Sequence, residues 1–295
     1  MCYILRHSSF LLFRLRILED NSYRLEVVSL SDIGRVRAQN EDAVAADGEF
    51  GIAAVADGIG GHRSGEIASR MAADIVLDRL RSRVRKFRDG VRQPMPLQFA
   101  EQIVGEANRA IHASAARHPE REGMGTTLAL ALFHGQRVAL LHVGDSRIYR
   151  LRDACLQALT RDDSLLSDQL ELGLIAAEDS RGSHNRHLVT QALGIAETVS
   201  VRLNEESVRT GDVFLLCTDG LSDLVEAADI QLIIDSLKTN LSLAAGQLVQ
   251  LANDNGGYDN ISVVLVRVHE AGVQPVRRNW FARLLARLAS PGGGR

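Results

Sequence analysis

Short apolar runs alternate along the chain with longer segments in which apolar residues recur every three or four positions. The short runs are rich in valine, leucine, isoleucine and alanine and are bounded by glycine, aspartate or asparagine, which predicts buried strands. Five strands are predicted, over residues 50–56, 126–133, 137–143, 212–217 and 261–268. Asp47-Gly48 and His134-Gly135 leave only a few residues between neighbouring runs, which requires hairpins and therefore antiparallel pairing.

The longer segments predict amphipathic helices. One begins after Ser64 and continues through 67–80, a second covers 97–111, and others are predicted over 164–172 and, in two pieces, over 226–255. Such helices bury one face against a sheet, and antiparallel sheets can bury theirs against each other. The predicted fold class is therefore α+β, with two packed antiparallel β-sheets flanked by helices in an α-β-β-α sandwich.

Composition is that of a globular protein, because 45% of the 295 residues are hydrophobic and 24% are charged. The net charge of −3 is unevenly distributed. Residues 1–16 contain three arginines and residues 271–295 contain five, with no acidic residue in either, so residues 17–270 carry a net charge of −11. This argues against a nucleic-acid-binding domain, whose footprint would be basic, and suits a protein that binds cations.

The two ends are predicted to lie outside the folded domain, which is expected over residues 22–270. The first 18 residues resemble a weak signal sequence, but two arginines interrupt the apolar run and no small-residue cleavage site follows. Residues 1–21 are therefore interpreted as an N-terminal extension or as the result of a mis-chosen start codon. In the basic tail, 271–295, the segment Trp280–Leu288 places apolar residues on one helical face and arginines on another. This pattern is compatible with an acidic membrane surface or a partner, and also with a short helix packed on its own domain.

Other features bear on the compartment. No stretch of about 18 residues is apolar and uncharged, so no membrane span is predicted. The three cysteines lie far apart and form no Cys-x-x-Cys motif, which predicts a reducing, cytoplasmic compartment without a disulfide framework. The basic stretch Arg81–Arg92 is interpreted as a solvated helix end or loop, and no ligand is assigned to it.

Carboxylates stand at the ends of several predicted strands. Two strands continue into Asp57-Gly58 and Asp219-Gly220, whereas Asp259-Asn260 precedes the last strand. If the last strand lies antiparallel to the other two, all three aspartates gather at one edge. Asp145 follows a further strand and can join them.

Crowded carboxylates of this kind indicate a metal site. At the mouth of a packed core they repel one another and raise each other's pKa unless a cation neutralises them. Oxygen-only donors without a histidine or cysteine cluster favour Mg²⁺ or Mn²⁺ over zinc. Gly58 lets the backbone approach closely, so its carbonyl is a further candidate ligand.

The segment 31–42 adds three candidate residues. Glu41 and Asp42 are further metal-shell carboxylates, and Arg37 precedes them in the chain. The guanidinium group of an arginine beside a two-cation site can take the remaining oxygens of a phosphate.

These residues occur in an ordered series of motifs. The series consists of Arg37-x-x-Asn40-Glu41-Asp42, Asp57-Gly58-Ile59-Gly60-Gly61-His62-x-x-Gly65-Glu66, Gly125-Thr126-Thr127, Gly144-Asp145-Ser146-Arg147, Thr218-Asp219-Gly220-Leu221 and Asp259-Asn260-Ile261-Ser262-Val263. Over residues 25–268 the chain resembles the bacterial branch of the metal-dependent Ser/Thr protein phosphatases of type 2C, the PPM family. Its size and the segment Asn185–Gly194 are most similar to the phosphatases found beside type VI secretion systems.

The resemblance implies hydrolysis of phosphoserine and phosphothreonine in proteins by direct attack of a water that two metal ions, Mn²⁺ or Mg²⁺, activate. Carried over by position, Asp57 bridges both metals, Gly58 offers its carbonyl, and Asp219 and Asp259 hold one metal. Glu41 acts through water, Asp42 supports the shell and Arg37 grips the phosphate. Asp145 helps to hold a third, weaker metal ion.

The resemblance also implies partners and a flap. Phosphorylated proteins are the expected substrates, an opposing Ser/Thr kinase is the expected counterpart, and no nucleic acid is expected. Residues 161–190 correspond to the flap beside the site. One position departs from the family, because some members place a histidine where this chain has Ile59, and His62 should not inherit its acid role. The alternative reading is a phosphatase-like module with weak catalysis that binds phosphoproteins.

Overall fold

The computed structural model describes residues 23–60, 64–89, 95–173 and 188–270. The predicted N-terminal extension, the basic tail, His62 and the middle of the predicted flap lie outside these ranges. Within them, two antiparallel sheets pack face to face with helices on both outer faces. The predicted sandwich is therefore confirmed.

The first sheet has five strands in the spatial order β1-β11-β10-β7-β8. All of its pairings are antiparallel. The strands are β1 (Tyr23–Asp32), β7 (Arg147–Arg152), β8 (Cys155–Ala158), β10 (Val213–Cys217) and β11 (Ile261–Glu270).

The second sheet has the spatial order β2-β3-β5-β6-β9, with a short strand, β4, paired to the end of β3. Its pairings are also antiparallel. The strands are β2 (Asp42–Asp47), β3 (Ile52–Ile59), β4 (Gly125–Thr126), β5 (Leu128–His134), β6 (Arg137–Val143) and β9 (Arg202–Ser207).

Six α-helices lie in the described ranges, numbered here in chain order. They are α1 (Ser64–Arg88), α2 (Pro96–Arg117), α3 (Leu165–Glu171), α4 (Asp219–Ser222), α5 (Ala227–Leu237) and α6 (Leu241–Asp254). A 3₁₀ turn, Pro119–Arg121, follows α2. None of these helices is long and apolar enough to cross a membrane.

The apolar core forms three layers. The helices α1 and α2 cover the outer face of the second sheet, and α5 and α6 cover the outer face of the first. The middle layer fills the space between the sheets, where the rings of Phe133 and Phe214 meet edge to face with centroids 5.1 Å apart. Because the sheets are buried on both faces, most of their strands are continuously apolar, as the sequence pattern predicts.

Five strands fall outside the five predicted ranges: β1, β2, β7, β8 and β9, although the hairpin predicted at Asp47-Gly48 requires a strand where β2 lies. The strand β7, Arg-Ile-Tyr-Arg-Leu-Arg, has no apolar run because three of its six residues are arginines. These arginines are accommodated in the sheet because acidic residues from other elements pair with them. Arg147 binds Asp162, Arg150 binds Glu206 and Arg152 binds Asp212. These pairings depend on the tertiary fold and leave no local pattern in the chain.

The strand directions give the sandwich two distinct ends. At one end, here called the acidic end, β2 and β11 begin and β3, β6 and β10 finish. At the other, here called the far end, β1 begins opposite the last residue of β11, and the turn between β2 and β3 packs beside β1. The candidate residues all lie at the acidic end.

Candidate metal centre

The predicted carboxylates meet at the acidic end, but from both sheets. Asp259 precedes β11 and Asp219 begins α4 directly after β10, and these two strands are antiparallel neighbours in the first sheet. Asp57 lies near the end of β3 in the second sheet, paired with Asp42 at the start of β2. The three aspartates predicted to share one sheet edge therefore meet across the sandwich, and the single-edge arrangement is wrong for Asp57.

A hydrogen-bond relay joins the two sheets at this point. The Thr218 hydroxyl donates to Asp42 Oδ2 at 2.9 Å, and Thr218 Oγ1 in turn accepts from the backbone N–H of Ser262 at 3.0 Å. Asp42 Oδ1 is buried and has no hydrogen-bond partner in the described residues. Asp42 is thus fixed on one side and has an unsatisfied acceptor on the other.

The electrostatics of Asp57 show how closely the carboxylates converge. Loss of hydration raises the pKa of Asp57 well above its ordinary value, and the negative charges of Asp42, Asp219, Asp145 and Asp259 raise it further. Four carboxylates from separate segments therefore act on one side chain. A cation placed among them would relieve this repulsion.

Neighbouring carboxylates show the same effect. Burial raises the pKa of Asp42 to about 7, against the hydrogen bond from Thr218, which lowers it. Burial, followed by the charge of Asp219, raises the pKa of Asp145 to about 8. Burial also raises the pKa of Glu41. The acidic end thus holds more negative charge than the protein alone stabilises.

The backbone around Asp57 is held by the Gly125-Thr126-Thr127 motif. Thr127 exchanges hydrogen bonds with Asp57, donating its N–H to the Asp57 carbonyl at 2.9 Å and accepting the Asp57 N–H on Oγ1 at 3.0 Å. The Thr126 hydroxyl donates to the same carbonyl at 2.8 Å. Thr127 Oγ1 also lies 2.7 Å from Ser146 Oγ, next to Asp145. Sequence reasoning found this motif without assigning it this role.

Gly58 and Gly65 permit a close backbone crossing beside the site. A Cβ on Gly58 would overlap the Gly65 carbonyl and lie 2.5 Å from the Glu41 carbonyl, and one on Gly65 would overlap Glu41 Oε2. The Gly58 N–H donates to the Glu41 carbonyl at 3.2 Å. Only glycine fits at both positions, and the crossing places Glu41 beside Asp57-Gly58.

Arg37 lies at the rim of the carboxylate group. Its Nη2 donates to Asp259 Oδ2 at 2.6 Å, and its side chain is 53% exposed. Burial alone would lower the pKa of Arg37, but the charges of Asp259, Asp57 and Asp219 raise it. A permanently charged guanidinium group therefore faces both the carboxylates and solvent.

Asn260 holds the segment that carries Arg37 and Glu41. Its Nδ2 donates to the carbonyls of Ile33 and Gln39 at 2.9 and 3.0 Å, and its Oδ1 accepts the N–H of Glu41 at 2.8 Å. One buried amide thus bridges both ends of the segment. The sequence contains Asn260 in a motif, but its partners are more than 200 residues away, so its role could not be read from spacing.

Asp145 is anchored to the base of the predicted flap. It is 7% exposed, and the neighbouring Gly144 N–H donates to Asp163 Oδ2 at 3.1 Å. Arg147 makes a bidentate pair with Asp162, with Nη2 to Oδ2 at 2.7 Å. Within the predicted flap, residues 161–173 and 188–190 are described. They include α3, which Ser164 caps by accepting the N–H of Ser167.

The residues fit a divalent-cation centre in their chemistry. In the described ranges, no group of three or more acidic, histidine or cysteine side chains is close enough to hold a metal ion in the positions that the structure gives them. The donors at the acidic end are nonetheless all oxygens, as Mg²⁺ and Mn²⁺ prefer, and the mutual repulsion around Asp57 calls for positive charge. The buried Asp42 Oδ1, which has no hydrogen-bond partner in the described residues, is also a position where a cation could bind.

The chain is similar in sequence to known proteins. Residues 35–253 match the sequence model described as "Protein phosphatase 2C". Over 247 residues the chain is 38% identical to the serine/threonine protein phosphatase PstP of Mycobacterium tuberculosis, covering 83% of this chain and 45% of PstP. It is 36% identical over 249 residues to the serine/threonine phosphatase stp of Listeria innocua, covering 80% of this chain and 93% of that protein.

A solved structure shows the same fold. The catalytic domain of PstP in complex with two manganese ions superposes with a TM-score of 0.73 at 35% identity, covering 84% of this chain and 99% of that one. The chain therefore spans about half the length of PstP but nearly all of the PstP catalytic domain.

Proposed function

Because the chain belongs to the protein phosphatase 2C family, we propose that it is a metal-dependent protein phosphatase that hydrolyses phosphoserine and phosphothreonine. The observation that carries this proposal is the convergence of separate carboxylates on Asp57 from both sheets, with Arg37 at their rim. Such a site binds hard cations and an oxyanion together, which is what cleavage of a phosphate ester requires.

The proposed ligand roles are those that the family's motifs imply for the matching positions of this chain. Asp57 would be the ligand shared by two ions, the Gly58 carbonyl would be a further ligand, and Asp219 and Asp259 would hold one of the ions. Glu41 acts through water, and Asp42 supports the shell from its relay to Thr218. Asp145 contributes to a third, weaker site. When bound, Mn²⁺ or Mg²⁺ lowers the pKa of water and neutralises charge on the phosphoryl group.

Arg37 is proposed to bind the phosphate. Its Nη2 is held by Asp259, which orients the planar guanidinium and leaves other N–H donors directed to solvent. These donors can take two phosphate oxygens in a bidentate pair. Ile59, at the position after Gly58, supplies no proton, so this side chain does not protonate the leaving alkoxide.

The finer assignments are also proposals. Phosphorylated proteins are the substrates and a Ser/Thr kinase opposes the reaction. A cytoplasmic location is supported by the unpaired thiols of Cys155 and Cys217. Membership of the subgroup beside type VI secretion systems stays a prediction.

The test is hydrolysis of a phosphothreonine peptide by the full chain. Activity is expected with Mn²⁺ or Mg²⁺, to be lost with EDTA, and to return when the metal is restored. Asp57→Ala should abolish it, whereas Asp229→Ala, at an exposed carboxylate on α5, should not. Full activity of the Asp57 variant would refute the bridging role. A folded protein that binds metal and phosphopeptides without turnover would establish the alternative, a phosphoprotein-binding module.

A further inference from the structure

Asp163 is a buried carboxylate at the base of the predicted flap, and it has no place in the proposed set of metal ligands. It is 2% exposed. Its Oδ2 accepts the N–H of Gly144 at 3.1 Å, and its Oδ1 accepts a hydrogen bond from Arg202 Nε. Its backbone N–H donates to the Gly144 carbonyl at 2.6 Å. The side chain and the backbone of Asp163 therefore both bind the residue that directly precedes Asp145.

Gly144 and Asp145 lie in the turn between the end of β6 and the start of β7. Gly144 has a φ of +101°, and a Cβ there would lie 2.7 Å from Thr127 Cγ2, so this position requires glycine. The neighbours of Asp145 hold the turn on both sides. Ser146 Oγ lies 2.7 Å from Thr127 Oγ1, and Gly144 binds Asp163. The direction in which Asp145 points thus depends on these two contacts.

The second sheet holds the other side of the Asp163 carboxylate. Arg202 begins β9 and pairs in register with His142 of β6. His142 Nδ1 is 3.9 Å from Asp163 Oδ2, which is too far for a hydrogen bond. The carboxylate is therefore attached to the sheet through Arg202 and to the turn through Gly144, so it connects a rigid element to the position of Asp145.

The direction of Asp145 matters because its carboxylate lies close to another. After burial, the charge of Asp219 is the largest cause of the raised pKa of Asp145. A cation held by these two side chains would bind well only if both point towards it. Residues that orient a metal ligand without touching the metal change metal affinity by about 10- to 100-fold.

We propose that Asp163 is a positioning residue, which sets the direction of the Asp145 carboxylate and thereby the affinity for the cation held there. This inference rests on the proposed function only for the role of Asp145 as a ligand of the third, weaker ion. The bond from Gly144 to Oδ2 carries the effect. The Asp163 carbonyl accepts the Thr190 N–H at 2.8 Å, and substitution of the side chain leaves this backbone link to the flap in place.

The experiment measures Mn²⁺ binding to the full chain after bound metal has been removed with EDTA. Electron paramagnetic resonance of the free ion gives the number of sites and their dissociation constants without any turnover. Asp163→Ala removes both side-chain bonds, whereas Asp163→Asn keeps an oxygen for the Gly144 N–H and loses the charge. Arg202→Gln is the matched control, because it removes only the pair with a side chain that is 47% exposed. Asp145→Ala is the reference for loss of the ligand itself.

Asp163→Ala should weaken the weakest Mn²⁺ site about 10-fold or more, as Asp145→Ala does, and leave the tighter sites unchanged. Asp163→Asn and Arg202→Gln should bind Mn²⁺ nearly as well as wild type. If circular dichroism shows that Asp163→Ala does not fold, Asp163→Glu replaces it. That variant keeps the charge but displaces the carboxylate by one methylene group, and it should weaken the same site.

Three outcomes would overturn the proposal. Wild-type Mn²⁺ binding by folded Asp163→Ala, or by Asp163→Glu in its place, would show that Asp163 does not position Asp145. Equal weakening in Asp163→Ala and Arg202→Gln would assign the effect to β9 rather than to the bond with Gly144. Unchanged binding by Asp145→Ala would remove the ligand that Asp163 positions. A wild-type chain that binds Mn²⁺ but hydrolyses no phosphopeptide would instead contradict the proposed function alone, so the two failures are distinguishable.

Discussion

At the scale of single residues, the carboxylates at the acidic end repel one another, and a bound cation would reduce this repulsion. Asp57 faces four other carboxylates, and Asp42 has a buried oxygen for which the described residues offer no hydrogen-bond donor. Mutual repulsion of this kind lowers the free energy of unfolding of the protein when no metal is bound. Substitutions here should therefore affect stability and activity in opposite directions.

The variant Asp57→Asn tests this opposition. Removing one of five mutually repelling charges should raise the melting temperature of the EDTA-treated protein by a few degrees, because each kcal/mol corresponds to about 2–4 °C in a domain of this size. Phosphopeptide hydrolysis should fall to background. Asp74→Asn, at an exposed carboxylate in the middle of α1, is the control and should change neither quantity. A lower melting temperature for the Asp57 variant would show that its charge is already compensated.

Asn260→Ala tests the bridge that holds the Arg37 segment. It removes three hydrogen bonds, each worth about 1 kcal/mol, and frees the segment from β11. We expect kcat/KM for a phosphopeptide to fall about 10- to 100-fold, mainly through a higher KM, because Arg37 loses its position. Asn255→Ala, which removes one exposed bond to the Leu224 carbonyl, is the matched control. An unchanged KM in the Asn260 variant would limit its role to folding.

At the scale of elements, the continuously apolar strands and the amphipathic helices could be predicted from the sequence. A strand buried on both faces is apolar at every position, and a helix buried on one face is apolar at every third or fourth. The sequence prediction missed β1 and β9, which are sheet edges with exposed positions, and β7, whose arginines find partners only in the fold. The candidate carboxylates could be predicted because each stands at a strand end. Their distribution over two sheets, and the roles of Thr127 and Asn260, could not, because these depend on contacts between distant segments.

The flap base offers a test at this scale. Asp162→Asn removes the charge from the bidentate pair with the partly buried Arg147, which should cost about 1.5 kcal/mol and lower the melting temperature by roughly 3–6 °C. Asp168→Asn removes the longer, exposed pair with Arg161 at 3.7 Å and should cost less than about 1 kcal/mol. Thermal unfolding monitored by circular dichroism gives both values. Equal shifts would mean that Arg147 finds another partner.

At the scale of the whole molecule, the raised carboxylate pKa values predict an unusual dependence of stability on pH. Folding raises the pKa of Asp42 to about 7 and of Asp145 to about 8, so the folded state binds protons that the unfolded chain releases at this pH. Stability from these groups is complete below the unfolded pKa of about 4 and is lost as the pH rises through 7 and 8.

The metal-free protein should therefore unfold at higher urea concentration at pH 6.5 than at pH 8.5. Saturating Mn²⁺ should remove this difference, because the cation takes the place of the protons. Urea titrations at the two pH values, with and without metal, provide the measurement. A metal-free protein that is more stable at pH 8.5 would contradict the shifted carboxylates.

The pairing of Tyr23 with Glu270 has a consequence for how this domain can be built into longer chains. Because the first and last described strands begin and end side by side, a short peptide could join them and new termini could be opened elsewhere, giving a circular permutant with the same pairings. A sequence fused before Tyr23 and one fused after Glu270 would therefore both join the domain at its far end, away from the candidate metal centre.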